Sequence, residues 1–335
     1  MISERECIDR ILRHVQAQES ESLIKGIGDD CAVIKKDGES VQLLTTDTLV
    51  EGVHFDLTWH QPYLLGRKCA SVNLSDIAAM GGKPIGCLLS VGFPDSMPVW
   101  FDDFMAGFSA VLSTNDTMLI GGDTVKSRND LLISVVITGE GKRDQICYRS
   151  GAKVGDLIWV SGSLGNAAAG LELCRKGVVQ PEDKQGKWHQ LVKAHLDPIP
   201  QIQLGLILAS SGLVHAMMDI SDGLATDLAH LCRESGVGAA IEEQSLPVDE
   251  SLKEAALELD TQVLDWVLKG GEDYRLLFTT GAEGEQKLRQ LIPDTTDGKI
   301  HCIGRITEGD GVYLCSGYNE RQEITYQGYD HFSVK

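Results

Sequence analysis

Six short acidic segments each adjoin an apolar, strand-like run: Gly26-Ile-Gly-Asp-Asp30, Thr45-Thr-Asp-Thr48, Asn73-Leu-Ser-Asp76, Gly121-Gly-Asp123, Asp219-Ile-Ser-Asp222 and Gly270-Gly-Glu-Asp273. Carboxylates interleaved with Gly, Ser and Thr on tight turns are hard oxygen ligands, suited to Mg²⁺ and to the phosphates that Mg²⁺ carries. A single Asp of this kind is more often a turn residue or helix cap, because its side chain hydrogen-bonds its own backbone. Taken singly, Asp76 and Asp156 fit that description. Six such segments in one chain point instead to side chains converging on a shared cleft from the ends of several strands.

The charge balance narrows the chemistry. Forty-nine Asp and Glu against 30 Lys and Arg leave a net charge of −19, which repels nucleic acid and anionic membrane. A nucleoside triphosphate is repelled too unless divalent cations lie between it and the protein. The 335 residues, 42% of them apolar, are ample for two domains with ordinary cores. No apolar run approaches the ~20 residues of a membrane span, and the N-terminus lacks a signal-type stretch, so the expected location is the cytoplasm. Nine cysteines, with no C-x-x-C pair, read as buried free thiols rather than as a zinc site or disulfide framework.

The usual phosphate-binding signatures are absent: no Gly-Lys followed by Ser or Thr, no G-x-G-x-x-G and no His-Arg-Asp, which removes P-loop, Rossmann and protein-kinase readings. No G-x-S-x-G nucleophile elbow occurs either.

The elements that must position the acidic groups read as mixed α and β. Ser3 to Glu6 forms a capping box before Ile8, Ile11, Leu12 and Val15 at helical spacing, so the chain opens on an amphipathic helix expected to pack. Strands are predicted at Cys31–Ile34 and Val41–Thr46, then a helix from Pro62 to the Gly81-Gly82 stop. Ile85–Phe93, Thr117–Ile120 and Leu131–Thr138 read as strands and Pro98–Ser113 as a helix. The pattern restarts near Tyr148, which places a domain boundary between 1–148 and 149–335. The second half shows a strand at Leu157–Val160, a helix at Asn166–Leu173 and a surface segment around Gln180–Gln190. A strand at His215–Ile220, a helix from about Gly223 to Glu234 and a strand at Tyr274–Thr280 follow, again an α/β alternation.

Seven segments carry a family resemblance. Residues 26–32, 45–55, 72–81, 120–124, 219–224, 270–274 and the closing Gly328-Tyr-Asp-His-Phe332 resemble the motifs of the thiamine-monophosphate kinase family, within the superfamily of aminoimidazole ribonucleotide synthetase. The His54 segment and the closing motif point to the kinases in particular. The resemblance implies a two-domain fold, an N-terminal α/β domain that dimerises and a C-terminal α/β domain, hence a homodimer. It also implies transfer of the γ-phosphoryl group of ATP to thiamine monophosphate. By motif position Asp30, Thr45, Thr46, Asp47, Asp76, Asp123, Asp219 and Asp222 would hold several Mg²⁺ ions. Gly122, Asp123, Arg149 and Ser221 would contact ATP, and His54, Glu272 and Tyr329 the thiamine phosphate.

The acceptor chemistry is compatible with a site of carboxylates and metals. A phosphate monoester has a second pKa of about 6, so at neutral pH its oxygen is already anionic and no general base or protein nucleophile is needed. The task is to hold two mutually repelling phosphates in line. Each role has a plainer competitor: His54 as a structural histidine, Tyr329 as packing, Arg149 as a surface ion pair. Of the adjacent Glu272 and Asp273, opposite strand faces would let only one reach the site. Other members of the superfamily (cyclo-ligase or selenophosphate synthetase), a metal-dependent phosphohydrolase and a non-catalytic metal-binding module stay open as alternatives.

Overall fold

The computed structural model describes residues 4–15, 21–94, 98–179, 186–292, 299–317 and 320–329. They form two sheets with helices, the mixed α/β, two-domain architecture expected. The first sheet holds β1 (Leu23–Lys25), β2 (Ala32–Lys35), β3 (Ser40–Val50), β4 (Lys83–Phe93), β5 (Met118–Lys126) and β6 (Leu132–Lys142), in the order β1-β2-β3-β6-β4-β5. Its one parallel pair, β4 with β5, is joined by a helical crossover, as parallel neighbours require. The second sheet holds β7 (Leu157–Val160), β8 (Val214–Asp219), β9 (Gly238–Glu242), β10 (Leu276–Thr280), β11 (His301–Thr307), β12 (Val312–Ser316) and β13 (Glu320–Glu323), in the order β13-β12-β9-β11-β7-β10-β8. The helices are α1 (Glu4–His14), α2 (Pro62–Ala79), α3 (Phe101–Thr114), α4 (Asn166–Arg175), α5 (His189–Leu196), α6 (Ile202–Ser211), α7 (Leu224–Ser235), α8 (Glu250–Leu259), α9 (Val263–Lys269) and α10 (Glu285–Leu291).

Helix α2 is the hub. It packs against β3, β4 and β6 of the first sheet, against α3, α5 and α6, and against β8 of the second sheet. Beyond its first turn it is therefore largely buried, and Lys68, Ser71, Asn73 and Ser75 are buried along with Leu65, Val72, Leu74 and Ile77. Polar groups in such a helix need partners, because an unpaired buried polar atom is costly. For Lys68, Asn73 and Ser75 the partners are the acidic segments, whereas the Ser71 hydroxyl is buried without one. Two glycines allow α2 and α3 to touch: a Cβ at Gly66 would stand 2.0 Å from the Phe104 carbonyl oxygen, and one at Gly107 would stand 1.9 Å from the Tyr63 carbonyl oxygen. On the opposite side Gly205 of α6 meets the Ala78 carbonyl, where a Cβ would come within 2.2 Å. The core of the first half accordingly includes Ile202, Leu204 and Leu208 from α6.

Several expectations are corrected. The segments Thr45–Thr48 and Gly121–Asp123 lie inside strands β3 and β5, and Asn73–Asp76 lies inside α2. Only the other three are loops, two of them running into a strand or out of one. Strand β5 runs six residues past its expected end at Ile120, through the Gly121-Gly122 pair, because its register with β4 absorbs an irregularity between Cys87 and Leu88. The apolar side of α1 does not pack: Ile8, Ile11, Leu12 and Val15 are exposed. Ser3 of its capping box and part of the Gln180–Gln190 stretch lie outside the described residues. Within that stretch Trp188 is buried and His189 begins α5, so it is not wholly a surface segment. All nine cysteines are free thiols, six of them buried. Among the described residues no helix is long and apolar enough to cross a membrane.

The α2–α3 contact generates a test. Gly107→Ala forces backbone against backbone and is expected to destabilise the fold by about 1–3 kcal/mol, read as a lowered midpoint of thermal or urea unfolding. An unchanged midpoint would mean the two helices can separate without penalty.

Candidate active site

Carboxylate oxygens of Asp30, Asp76 and Asp219 lie within 4.8 Å of one another. The three reach this point from a loop between β1 and β2, from the last turns of α2 and from the end of β8. Around them α2 supplies the fixing bonds. Thr45 Oγ1 donates to Asp76 Oδ2, Ser75 Oγ donates to Asp219 Oδ2 at 2.5 Å, and the Asp47 backbone N–H donates to Asn73 Oδ1 at 2.9 Å. That last bond is possible because β3 outruns β2, whose pairing stops at Leu44, leaving the following strand N–H groups open to α2. Strand alternation puts Thr45 and Asp47 on the α2 face. Thr46 is on the other face and its hydroxyl donates to the Val135 carbonyl at 3.0 Å.

Burial disfavours charge on every member of the set. It lifts Asp219 to about 7 and Asp47 to about 6, with the Asp30 carboxylate adding to both shifts. Asp76 is raised by burial and then by Asp47, Asp219 and Asp30. Asp30 is raised by burial against the pull of Arg149. The Arg149 guanidinium holds Asp30 Oδ1 through Nη2 at 2.5 Å and Nε at 3.1 Å, while Asp30 Oδ2 is buried without a hydrogen-bond partner. A desolvated all-oxygen donor set with an orphaned carboxylate oxygen fits a hard divalent cation. Asp29, next in line, is raised to about 6 by burial and by Asp30, and accepts from the Arg149 backbone N–H at 3.1 Å.

The loop Gly270–Asp273 is zipped to the loop Asp219–Asp222. Glu272 N–H donates to the Ser221 carbonyl at 2.7 Å, and Tyr274 N–H to the Ile220 carbonyl at 2.8 Å. Tyr329 N–H donates to the Asp222 carbonyl at 2.8 Å, which brings the C-terminal motif to the same place; Asp330 to Phe332 lie outside the described residues. Glu272 is not an open binding group. Its Oε1 is 2.6 Å from Lys68 Nζ and its Oε2 is 2.9 Å from His195 Nδ1, a pairing that outweighs burial and holds its carboxyl well below the usual range. Asp273 points the other way and accepts from the Gly165 and Ala167 N–H groups at the start of α4. His54 folds onto its own turn, with Nδ1 accepting from Val50 N–H at 3.0 Å.

Asp123 stands apart from the cluster within one chain. The register row Asp47, Val135, Leu89, Gly122 crosses three strand spacings, roughly 14 Å at about 4.8 Å each. Asp123 is exposed on β5, beside an open groove of about 370 Å³ lined by Leu89, Val91, Phe101, Met105 and Leu119. A larger groove, about 570 Å³, involves Glu243, Ser316 and Glu320, on elements that carry none of the predicted site residues. The residues that sequence reasoning missed are Asn73, Ser75, Lys68, His195 and Tyr274. Tyr274, at φ 48°, is kept protonated by burial and by Glu272, Asp47, Asp219 and Asp222 around it. The signal available was polar residues at the core positions of an otherwise apolar helix.

Family models of the AIR synthase related protein match both halves, the N-terminal domain over residues 28–141 and the C-terminal domain over 153–315. Two-sheet scaffold and acidic cleft thus define an AIR synthase related protein. The chain is 38% identical to the thiamine-monophosphate kinase of Buchnera aphidicola (Schizaphis graminum), covering 98% of this chain and 99% of that one. It is 37% identical to the Escherichia coli K12 protein of the same name, with 92% of each covered. Among solved structures, "AaThiL complexed with AMPPCP and TMP" superposes with a TM-score of 0.82 at 33% identity, over 99% of this chain and 97% of that one. The thiamine-monophosphate kinase of Stenotrophomonas maltophilia K279a gives 0.77 at 37% identity, over 91% and 94%. The chain belongs to the thiamine-monophosphate kinase family.

The raised carboxyls predict how cation binding depends on pH. Asp219 and Asp47 hold protons in the folded state to about pH 7 and 6 but ionise near 4 when unfolded, so stability of the metal-free protein falls as pH rises through that window. Mg²⁺ replaces those protons. The increase in unfolding temperature on adding Mg²⁺ to EDTA-treated protein is therefore expected to be larger at pH 8 than at pH 5.5. Taking the increment cancels His60 and His195, whose lowered pKa values act oppositely at both metal levels. An equal or larger increment at pH 5.5 would contradict the carboxylate site.

Proposed function

We infer that the chain transfers the γ-phosphoryl group of ATP to thiamine monophosphate, forming thiamine diphosphate and ADP by direct in-line transfer. The observation that carries this is end-to-end similarity to kinases of that name and to a structure described as holding AMPPCP and TMP, with the acidic cluster at the junction of the two sheets. Asp30, Asp76 and Asp219, with Thr45 and Asp47, would hold Mg²⁺, and Asp222 borders them. The Thr46 hydroxyl is not part of this set. The cations supply charge neutralisation and bridging of phosphate oxygens. Arg149, which grips Asp30, and Ser221 would contact the nucleotide phosphates, and Gly122 and Asp123 border the apolar groove on β5. His54, the Glu272 loop and Tyr329 would face the acceptor. Division of the chain at 148/149 separates the sheet that holds Asp47 from the one that holds Asp219.

The acceptor oxygen is ionised at neutral pH, so the chain's residues need only orient it. Tyr274 and Arg149 are hydrogen-bond donors beside the cluster, and neither needs to deprotonate. A kinase that consumes ATP works where ATP is held, so the reading carries a cytoplasmic location with it.

We also propose that the chain works as a homodimer joined through β5. This edge strand exposes Met118 (62%), Leu119, Ile120 (57%) and Val125, and an exposed apolar edge is a pairing surface. It would place Asp123 in an interface rather than in bulk water.

Two measurements test these readings. Purified protein with ATP and Mg²⁺ is expected to form thiamine diphosphate only when thiamine monophosphate is present, and Asp47→Asn to lower turnover by about 10² with its unfolding temperature preserved. ATP hydrolysis without acceptor would favour a phosphohydrolase, and a fully active Asp47→Asn would remove that ligand from the set. In light scattering, Ile120→Lys is expected to convert a dimer to a monomer; a variant that stays dimeric places the interface elsewhere.

A further inference from the structure

Lys68 lies on α2 with its side chain 0% exposed. An ammonium withdrawn from water persists only where close partners offset its desolvation, and the partners here belong to two different halves of the chain. Nζ is 2.6 Å from Glu272 Oε1 in the second half and 3.5 Å from the His54 carbonyl oxygen in the first. These are the turns that face the acceptor in the proposed reaction.

The Glu272 end of this contact is tightly determined. Glu272 has φ 71°, a left-handed conformation that a non-glycine residue keeps only when its surroundings enforce it. Its N–H is held by the Ser221 carbonyl, and its second carboxylate oxygen lies 2.9 Å from His195 Nδ1 of α5. Gly271 sits flat on the same carbonyl, where a Cβ would come within 2.4 Å. Lys68 therefore grips a rigid loop and, through the His54 carbonyl, a turn of the opposite domain. The carboxylate cluster is served by other residues of α2, Asn73, Ser75 and Asp76, one to two turns farther along.

We propose that Lys68 is a positioning residue for the acceptor: it sets the separation of the His54 and Glu272 turns and so fixes where thiamine monophosphate lies relative to the nucleotide. The inference rests on the kinase reading above. It separates acceptor placement, governed by Lys68, from metal and nucleotide placement, governed by the later turns of α2.

Steady-state kinetics of the full chain with Mg²⁺-ATP and thiamine monophosphate test it. Lys68→Met is expected to raise the KM for thiamine monophosphate tenfold or more while the KM for ATP stays within twofold. Lys68→Arg, which keeps the charge and the pairing to Glu272, is expected to recover at least a threefold part of that loss. If Lys68→Met does not fold, Lys68→Gln, which removes the charge but keeps a donor toward Glu272, is held to the same comparison. The proposal is overturned if the acceptor KM stays within twofold of wild type, or if both KM values rise by the same factor. Absence of thiamine monophosphate turnover in the wild-type protein is a separate outcome, which refutes the kinase reading and this inference with it.

Discussion

Three carboxylates in a space desolvated enough to resist their charge is the constraint on which this structure turns. Asp30, Asp76 and Asp219 approach within 4.8 Å from three elements of two sheets, and like charges at that distance repel strongly in a low-dielectric surrounding. The scaffold offsets this with fixed donors: the Thr45 and Ser75 hydroxyls on Asp76 and Asp219, and the Arg149 guanidinium on Asp30. Those donors satisfy one side of the cluster and leave Asp30 Oδ2 unsatisfied. The fold thus holds the carboxylates in place while leaving room for a cation to complete the charge balance.

How much of this was legible in the sequence depended on whether the signal was local. Helix α2 was, because Pro62 starts it and Gly81-Gly82 ends it, and β7 was, because Leu157–Val160 is a continuous apolar run. The acidic segments are recognisable as a set, yet three of the six lie in regular elements rather than turns. Gly, Ser and Thr beside Asp signal a turn, whereas in β3 and α2 tertiary burial overrides that local preference. Strands β11 to β13 went unpredicted, and Glu320–Glu323 has no apolar residue to betray a strand; pairing with β12 makes it one. In the site, motif position located Asp30, Asp76 and Asp219 together. It gave no sign that Glu272 is spent on Lys68 and His195, since a buried ion pair between residues 204 positions apart leaves no trace in local spacing. Motif position also includes Thr46, and the two-residue period of a strand sends its hydroxyl to the opposite face, onto the Val135 carbonyl.

Charge at the scale of the whole chain and charge at the site make different demands. A net charge of −19 disfavours an anionic substrate everywhere on the surface, yet the cleft must receive two phosphate-bearing molecules. Local cations of two kinds resolve this: those fixed in the chain, Arg149 and Lys68, and those that the oxygen ligands can recruit. Both fixed cations are already paired to a carboxylate, so each lends geometry more than net positive charge.

The seam between α2 and α6 bears on how the chain is made. Ile202, Leu204 and Leu208 join the core of the first half, and Gly205 fits against Ala78 with no space to spare. During synthesis the far side of α2 therefore stays uncovered until residues 202–211 have emerged, some 130 residues after α2 itself. At about 5–20 residues per second that interval is on the order of ten seconds, in which the helix surface around Ala78 and Gly81, the positions that meet Gly205 and Ala209, lacks its α6 cover. The first half is a domain by sheet topology but not by order of assembly, and the nascent chain waits for its second half before its first can close.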